Sequence, residues 1–228
     1  MTLPPIVVIL QTWQRTAYAL RTIAAAAEHM RYDAPLVWYV ADDGSDTAHI
    51  EQVYTAVRAT HWSVLGMHSE RRGYGGNSNA AWNRADYISP LTFWLEDDWE
   101  LRAPLDLTPY AKLLIERAEI GMVRLGLLNV DVRGRTWAHD GRLYWTLDRE
   151  PHHEGTPVFT GHPSLRHVRY RQAHGYYPEG LLPGDTELMY ALNYRRSAPN
   201  TPGILWPADL PAGGVFGHIG ETKCETMM

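Results

Sequence analysis

FWLEDDWEL, residues 93–101, passes from apolar to acidic within a few positions. Phe93, Trp94 and Leu95 read as the end of a buried strand. Glu96, Asp97 and Asp98 follow at once, then Trp99 and Glu100. Adjacent carboxylates repel, and burying them unpaired is costly. A strand ending in this way leaves negative charge at one edge of a sheet, where solvent or a cation must answer it. Hard Mg2+ or Mn2+ prefers carboxylate oxygens and keeps room for water and phosphate. A solvated acidic loop is the plainer reading, and spacing alone leaves both open.

The pattern around this stretch sets the fold class. Residues 6–10, IVVIL, and 36–40, LVWYV, are short apolar β-branched runs of the kind buried in parallel sheets. A third strand is expected at 64–67 and a fourth at 91–95. Helices are expected at 16–30, 48–59 and 78–87. Strands alternating with helices predict an α/β layered fold with a mostly parallel sheet, in which ligands bind at the carboxyl ends of strands. Three of these strands run into polar residues: QTWQR, DDGSD and EDDWE. Beyond residue 100 a helix is expected at 104–119, a strand at 121–128 and a helix at 185–196. Loops and short strands are expected across 129–180, and a loop-like tail from 199. The whole reads as one domain over 1–228, with a ligand-binding half at 1–100 and a second half at 101–228.

Bulk properties narrow the partners. The chain has 228 residues, 45% of them hydrophobic, enough for one sizeable core. A formal charge of −5 gives no global basic field for nucleic acid. Cys224 is the single cysteine, so no internal disulfide forms. No apolar run nears the roughly 20 residues of a membrane span, and MTLPPIVVIL lacks an export signature. A soluble, cytoplasmic protein is expected.

Four further segments carry candidate chemistry, each beside a plainer role. VADDGSD, 40–46, is a turn with an N-cap, to which a carboxylate for a base or ribose can be added. ERRGYGGNSNAAWNRA, 70–85, is a glycine-bearing approach to a helix, and not a Walker loop. In LLPGDTELMYAL, 181–192, Asp185 is a natural N-cap or a general base. VFGHIGE, 215–221, offers His218; His152 and His153 receive no role.

In this order the pieces resemble the GT-A fold nucleotide-sugar glycosyltransferases, especially the large inverting family-two group. VILQTWQR resembles the opening Pro-Thr-Tyr-Asn-Arg segment, with Thr12 and Arg15 matching. Gln11 stands for proline, Trp13 for tyrosine and Gln14 for asparagine. VADDGSD is similar to Val-Asp-Asp-Gly-Ser. Arg72, Gly73, Asn79 and Ala85 fall where the family has Asn-Arg-Gly and the next helix. LEDD places Glu96 and Asp98 at the Asp-x-Asp metal motif, and GDTEL keeps the aspartate of the Glu-Asp pair with Gly184 for the glutamate. The match covers about residues 5–100 well and 160–220 loosely.

The resemblance implies a Mn2+ or Mg2+ cofactor held by Asp98, with His218 completing the site. Glu96 or Asp97 would reach the ribose or metal-bound water. Asp43 would read the base or ribose beside Thr12 and Arg15, while Arg72 and Gly73 lie over the nucleotide. Asp185 would deprotonate an acceptor hydroxyl in an inverting displacement. The donor is expected to be a UDP-type sugar. The acceptor is open: a glycan, a small molecule, a protein or a hydroxylated phage DNA base, which would place the enzyme in host cytoplasm. Trp137, Trp145, Tyr170, Tyr176 and Tyr177, with Arg133, Arg135, Arg142, Arg166, Arg169 and Arg171, are candidates to contact it. For any one of the aromatics, core packing is the plainer role. Two alternatives remain: a nucleotidyltransferase that makes sugar nucleotides, disfavoured because QTWQRTAY has no glycine, and an inactive binding module of the same fold.

Overall fold

The computed structural model describes residues 2–126, 135–146, 161–197, 202–211 and 214–220. In chain order the first half holds β1 (Ile6–Thr12), α1 (Thr16–His29), β2 (Met30–Arg31), β3 (Leu36–Asp42), α2 (Thr47–Ala59), β4 (Ser63–Ser69), α3 (Gly73–Asp86) and β5 (Leu91–Glu96). The second half holds β6 (Trp99–Leu101), β7 (Leu105–Asp106), α4 (Thr108–Glu116), β8 (Ile120–Arg124), β9 (Thr136–His139), β10 (Arg142–Thr146), β11 (Ser164–His167), α5 (Val168–His174), α6 (Pro183–Arg196), β12 (Gly203–Pro207) and β13 (Phe216–His218).

One nine-stranded sheet crosses both halves in the order β4-β3-β1-β5-β11-β8-β12-β10-β9. The β4-β3-β1-β5 block is wholly parallel, and β11 enters antiparallel between β5 and β8. All seven residues of β1 are buried, as a central strand covered on both faces must be. Ile6, Val8 and Leu10 pack against Ala19 and Ile23 of α1 and Val53 and Val57 of α2. Val7 and Ile9 face the other way, toward Ala81, Trp82 and Ala85 of α3 and Tyr190 and Tyr194 of α6. Fully burying each such aliphatic side chain contributes about 1.5–3 kcal/mol.

The α/β class and the four leading strands follow the sequence pattern, but several elements differ: the helix expected at 104–119 spans only Thr108–Glu116, preceded by strand β7, and the region expected as loops and short strands also holds helix α5. Helix α3 starts at Gly73, five residues before the expected position, and takes in the glycines. Gly75 is needed because a Cβ there would lie 2.0 Å from the carbonyl oxygen of Pro178. Helix α6 starts at Pro183 with Leu182 as N-cap, so Asp185 is in the first turn and does not cap it. The tail expected as loop supplies β12 to the main sheet and β13 to a pair with β6.

Candidate functional site

Register brings the strand ends together. Thr12 of β1 sits opposite Asp42 of β3, and Gln11 sits opposite Glu96 of β5. The ladder runs one step further: Asp43 N donates to Thr12 O at 3.1 Å, and Asp97 N donates to Gln11 O at 3.0 Å. The acids that end β5 and the turn that ends β3 therefore share one edge, on either side of the β1–α1 turn.

Asp97 and Asp98 are buried, with relative exposures of 0% and 2%. Asp97 is held from several sides. Thr12 Oγ1 donates to its Oδ2 at 2.8 Å, Trp13 N donates to the same oxygen at 3.3 Å, and Thr22 Oγ1 takes its carbonyl at 2.8 Å. The Arg15 guanidinium spans the pair, its Nη2 on Asp97 Oδ1 and its Nη1 on Asp98 Oδ2. Burial pushes the Asp97 carboxyl up to about 6 and the Asp98 charge adds to this, while Arg15 and the Thr12 and Trp13 bonds pull it back. Burial lowers the Arg15 pKa, but the two aspartates outweigh it and hold it above its usual value.

Asp98 faces the tail. Ile219 N donates to its carbonyl oxygen at 2.8 Å, and His218 Nε2 lies 3.4 Å from its Oδ2. The His218 ring stands edge-on to Trp99 at 5.2 Å, its antiparallel partner. Gly220 packs directly on the carboxylate, since a Cβ there would come within 2.6 Å of Oδ2. Asp98 Oδ1 is buried and has no hydrogen-bond partner among the described residues. A buried carboxylate oxygen without a donor, on a group whose other oxygen lies near an imidazole, fits a divalent cation that takes one ligand from each residue and the rest from substrate or water.

The other expected residues fall around this centre. Asp43 does not present a free carboxylate: Oδ1 accepts from Arg72 N at 2.7 Å and Oδ2 pairs with Arg71 at 3.2 Å. It fixes the 70–73 segment, where Gly73 adopts φ +70° and the Arg72 side chain pairs with Glu70. Arg71 also lies over the exposed Trp13 ring, 4.1 Å from its centroid. Glu96 accepts from Tyr74 Oη at 2.9 Å, and its charge adds to that of the two aspartates in raising the Arg15 pKa. Asp185 is exposed on α6 and makes no hydrogen bond to a described residue.

Two site residues escaped the sequence reading. His49 is buried on α2, its Nε2 3.0 Å from Thr12 Oγ1 and its Nδ1 2.9 Å from Thr16 Oγ1, which ties α1, α2 and β1 at the acid edge. Its signal was a histidine on the i, i+4, i+8 apolar stripe with Val53 and Val57. Burial lowers its pKa against the opposing pull of Asp42 and Asp46. Glu187, two residues past Asp185, turns inward and bonds Gly161 N, with Tyr74 Oη at 3.5 Å.

Of the aromatics offered for an acceptor, Tyr170 and Tyr177 are buried and only Tyr176 is largely exposed. Several arginines are committed elsewhere: Arg166 lies buried between Trp82 and Trp94, Arg169 bonds the Leu114 and Arg117 carbonyls, and Arg171 pairs with Asp86. Arg133, His152, His153 and Cys224 lie outside the described residues.

Comparison with family models finds no match, and comparison with curated proteins finds none. Solved structures do match. S. aureus TarS in complex with UDP-GlcNAc aligns with TM-score 0.60 at 14% identity, over 95% of this chain and 60% of that one. The mannosyltransferase PcManGT from Pyrobaculum calidifontis, in complex with GDP-Man and Mn2+, aligns with TM-score 0.53 at 16% identity, over 94% and 59%. GalNAc-T7 with UDP, GalNAc and Mn2+ aligns with TM-score 0.59 at 13% identity, over 90% and 42%. The chain thus spans less than two thirds of each. The likeness shows the fold, which is that of the GT-A nucleotide-sugar glycosyltransferases.

Proposed function

We propose that this chain is a glycosyltransferase that moves a sugar from a nucleoside-diphosphate sugar, of UDP type, to an acceptor hydroxyl with inversion, using a divalent metal. The observation that carries the reading is the Asp98 carboxylate just past the end of β5 in a GT-A fold: its buried Oδ1 has no hydrogen-bond partner among the described residues, and its Oδ2 lies 3.4 Å from His218 Nε2. Asp98 and His218 would hold the cation. A bound Mn2+ or Mg2+ neutralises charge on the departing diphosphate.

The chain's own groups do the rest. Thr12 and the Arg71–Asp43–Arg72 arrangement bound the nucleoside side of the edge. With the Asp43 carboxylate already bonded to Arg72 N, the base or ribose is met by this framed loop, with Gly73 at its end. Asp97 positions Arg15 and Thr12 as a buried anion and does not itself ligate. Asp185, exposed in the first turn of α6, takes the proton of the acceptor hydroxyl as it attacks the face opposite the leaving group. No covalent sugar–enzyme intermediate is needed.

A second reading, an inactive binding module, has one observation in its favour: Arg15 already neutralises both aspartates. Incubating the protein with UDP- and GDP-sugars and Mn2+, and following nucleoside diphosphate release, separates the two. Release from one donor class supports a transferase; none from any donor, with nucleotide still bound, supports the module.

A further inference from the structure

Two adjacent, almost fully buried aspartates need a counter-charge before any ligand arrives, and here the chain supplies it itself. Arg15 reaches both carboxylates at once, from an N-cap position with irregular backbone angles, φ −110° and ψ 56°. Its side chain stays 30% exposed while the acids it spans are sealed. It thus has an open route out, which the acids lack. A metal on Asp98 would share that carboxylate with the guanidinium, and two cations on one carboxylate repel.

We propose that Arg15 is the resident cation of the acid pair, and that a divalent metal enters only by exchange with it, the freed guanidinium then binding the donor's diphosphate. This rests on the transferase reading for the identity of the diphosphate. The exchange itself rests on the ion pairs alone. Guanidinium suits both partners, because its planar fork meets carboxylate and phosphate oxygens alike. Metal alone must then displace Arg15 with no new partner for it, and binds weakly. With a nucleoside diphosphate present, the displaced guanidinium gains an acceptor, so each ligand raises the affinity of the other by the same factor.

The test is Mn2+ binding followed by the paramagnetic resonance of the free ion, first without nucleotide. Arg15→Gln is expected to bind Mn2+ at least about tenfold more tightly than wild type. The added binding must vanish in Arg15→Gln/Asp98→Asn, which separates it from Mn2+ on the surface cluster of Glu116, His139 and Asp140, whose ligand atoms lie within 4.8 Å of one another. UDP is then expected to tighten Mn2+ binding more in wild type than in Arg15→Gln. Equal or weaker Mn2+ binding by Arg15→Gln, or no specific binding by either protein, overturns the proposal. If Arg15→Gln does not fold, Arg15→Lys serves, since one ammonium spans the pair less well; it too must bind Mn2+ more tightly than wild type. Tighter Mn2+ binding in the variant with no sugar nucleotide turned over by wild type would keep the exchange and remove the transferase reading.

Discussion

Thr12 Oγ1 donates to Asp97 Oδ2 at 2.8 Å, joining the end of β1 to the acids 85 residues later. The same hydroxyl meets His49 at 3.0 Å, so one small side chain serves the acid and the helix that backs it. Thr12→Val keeps the shape and deletes both bonds inside a buried site. It should lower stability by about 1–3 kcal/mol, the cost of leaving buried polar partners unmade. Thr12→Ser should recover most of it. Urea midpoints at unchanged slope would check this.

Asn79 joins α3 to the segment before α6. Its side chain accepts from Tyr177 N at 2.9 Å and donates to Tyr177 O at 3.0 Å and Glu179 Oε1 at 2.9 Å. Asn79→Ala should cost about 2–4 kcal/mol, since several buried groups lose partners together. Asn79→Asp should not rescue it, because a carboxylate cannot donate to the Tyr177 carbonyl.

Two glycines should respond in opposite directions. Gly75→Ala places a methyl against the Pro178 carbonyl and should leave little folded protein. A Cβ at Gly184 meets nothing within 4 Å, and this helical residue has no positive φ. Gly184→Ala should stabilise by up to about 1 kcal/mol. Thermal melts of the pair decide it.

His167 caps α5, its Nδ1 accepting from Arg169 N at 3.1 Å and Arg169 Nε at 3.0 Å. Burial, helped by the Arg169 charge, lowers its pKa to about 4. The folded state therefore resists a proton that the unfolded chain accepts at the ordinary value of 6.5. Stability from this group is present above 6.5 and falls as pH drops from there toward 4. His167→Asn, which can still accept at the cap, should flatten that part of the stability–pH curve relative to wild type.

Asp185→Asn should reduce sugar transfer by about 10²–10⁴-fold, the usual worth of a general base. Nucleotide affinity should be unchanged, because the exposed carboxylate makes no hydrogen bond or ion pair to a described donor-side residue. A loss of nucleotide binding in this variant would place Asp185 elsewhere in the mechanism.

What could be read from the chain was local. The buried runs of β1, β3 and β5 and the DDGSD turn declare themselves within a few residues, and Asp46 caps α2 through His49 N as the turn chemistry predicts. What could not be read was set by distant partners. Glycine-rich α3 contradicts helix propensity and forms because Gly75 lets the Pro178 backbone approach. Strand β12, followed by a Pro-Gly-containing tail, exists through pairing with β8 and β10. Arg15 could be matched to a motif, but its grip on acids 82 and 83 residues away was invisible in the sequence.

On the reading proposed above, this edge binds a nucleoside diphosphate together with a metal. The direct measurement is the melting temperature with UDP and GDP, each with and without Mn2+, in wild type and Asp98→Ala. Ligand at 100 times its dissociation constant stabilises by about 2.7 kcal/mol, well within reach of a melt. The expected result is a shift with one nucleotide that requires Mn2+ and disappears in Asp98→Ala. No shift with either nucleotide at millimolar concentration, or a Mn2+-dependent shift that survives in Asp98→Ala, would rule out the Asp98-centred metal–nucleotide site.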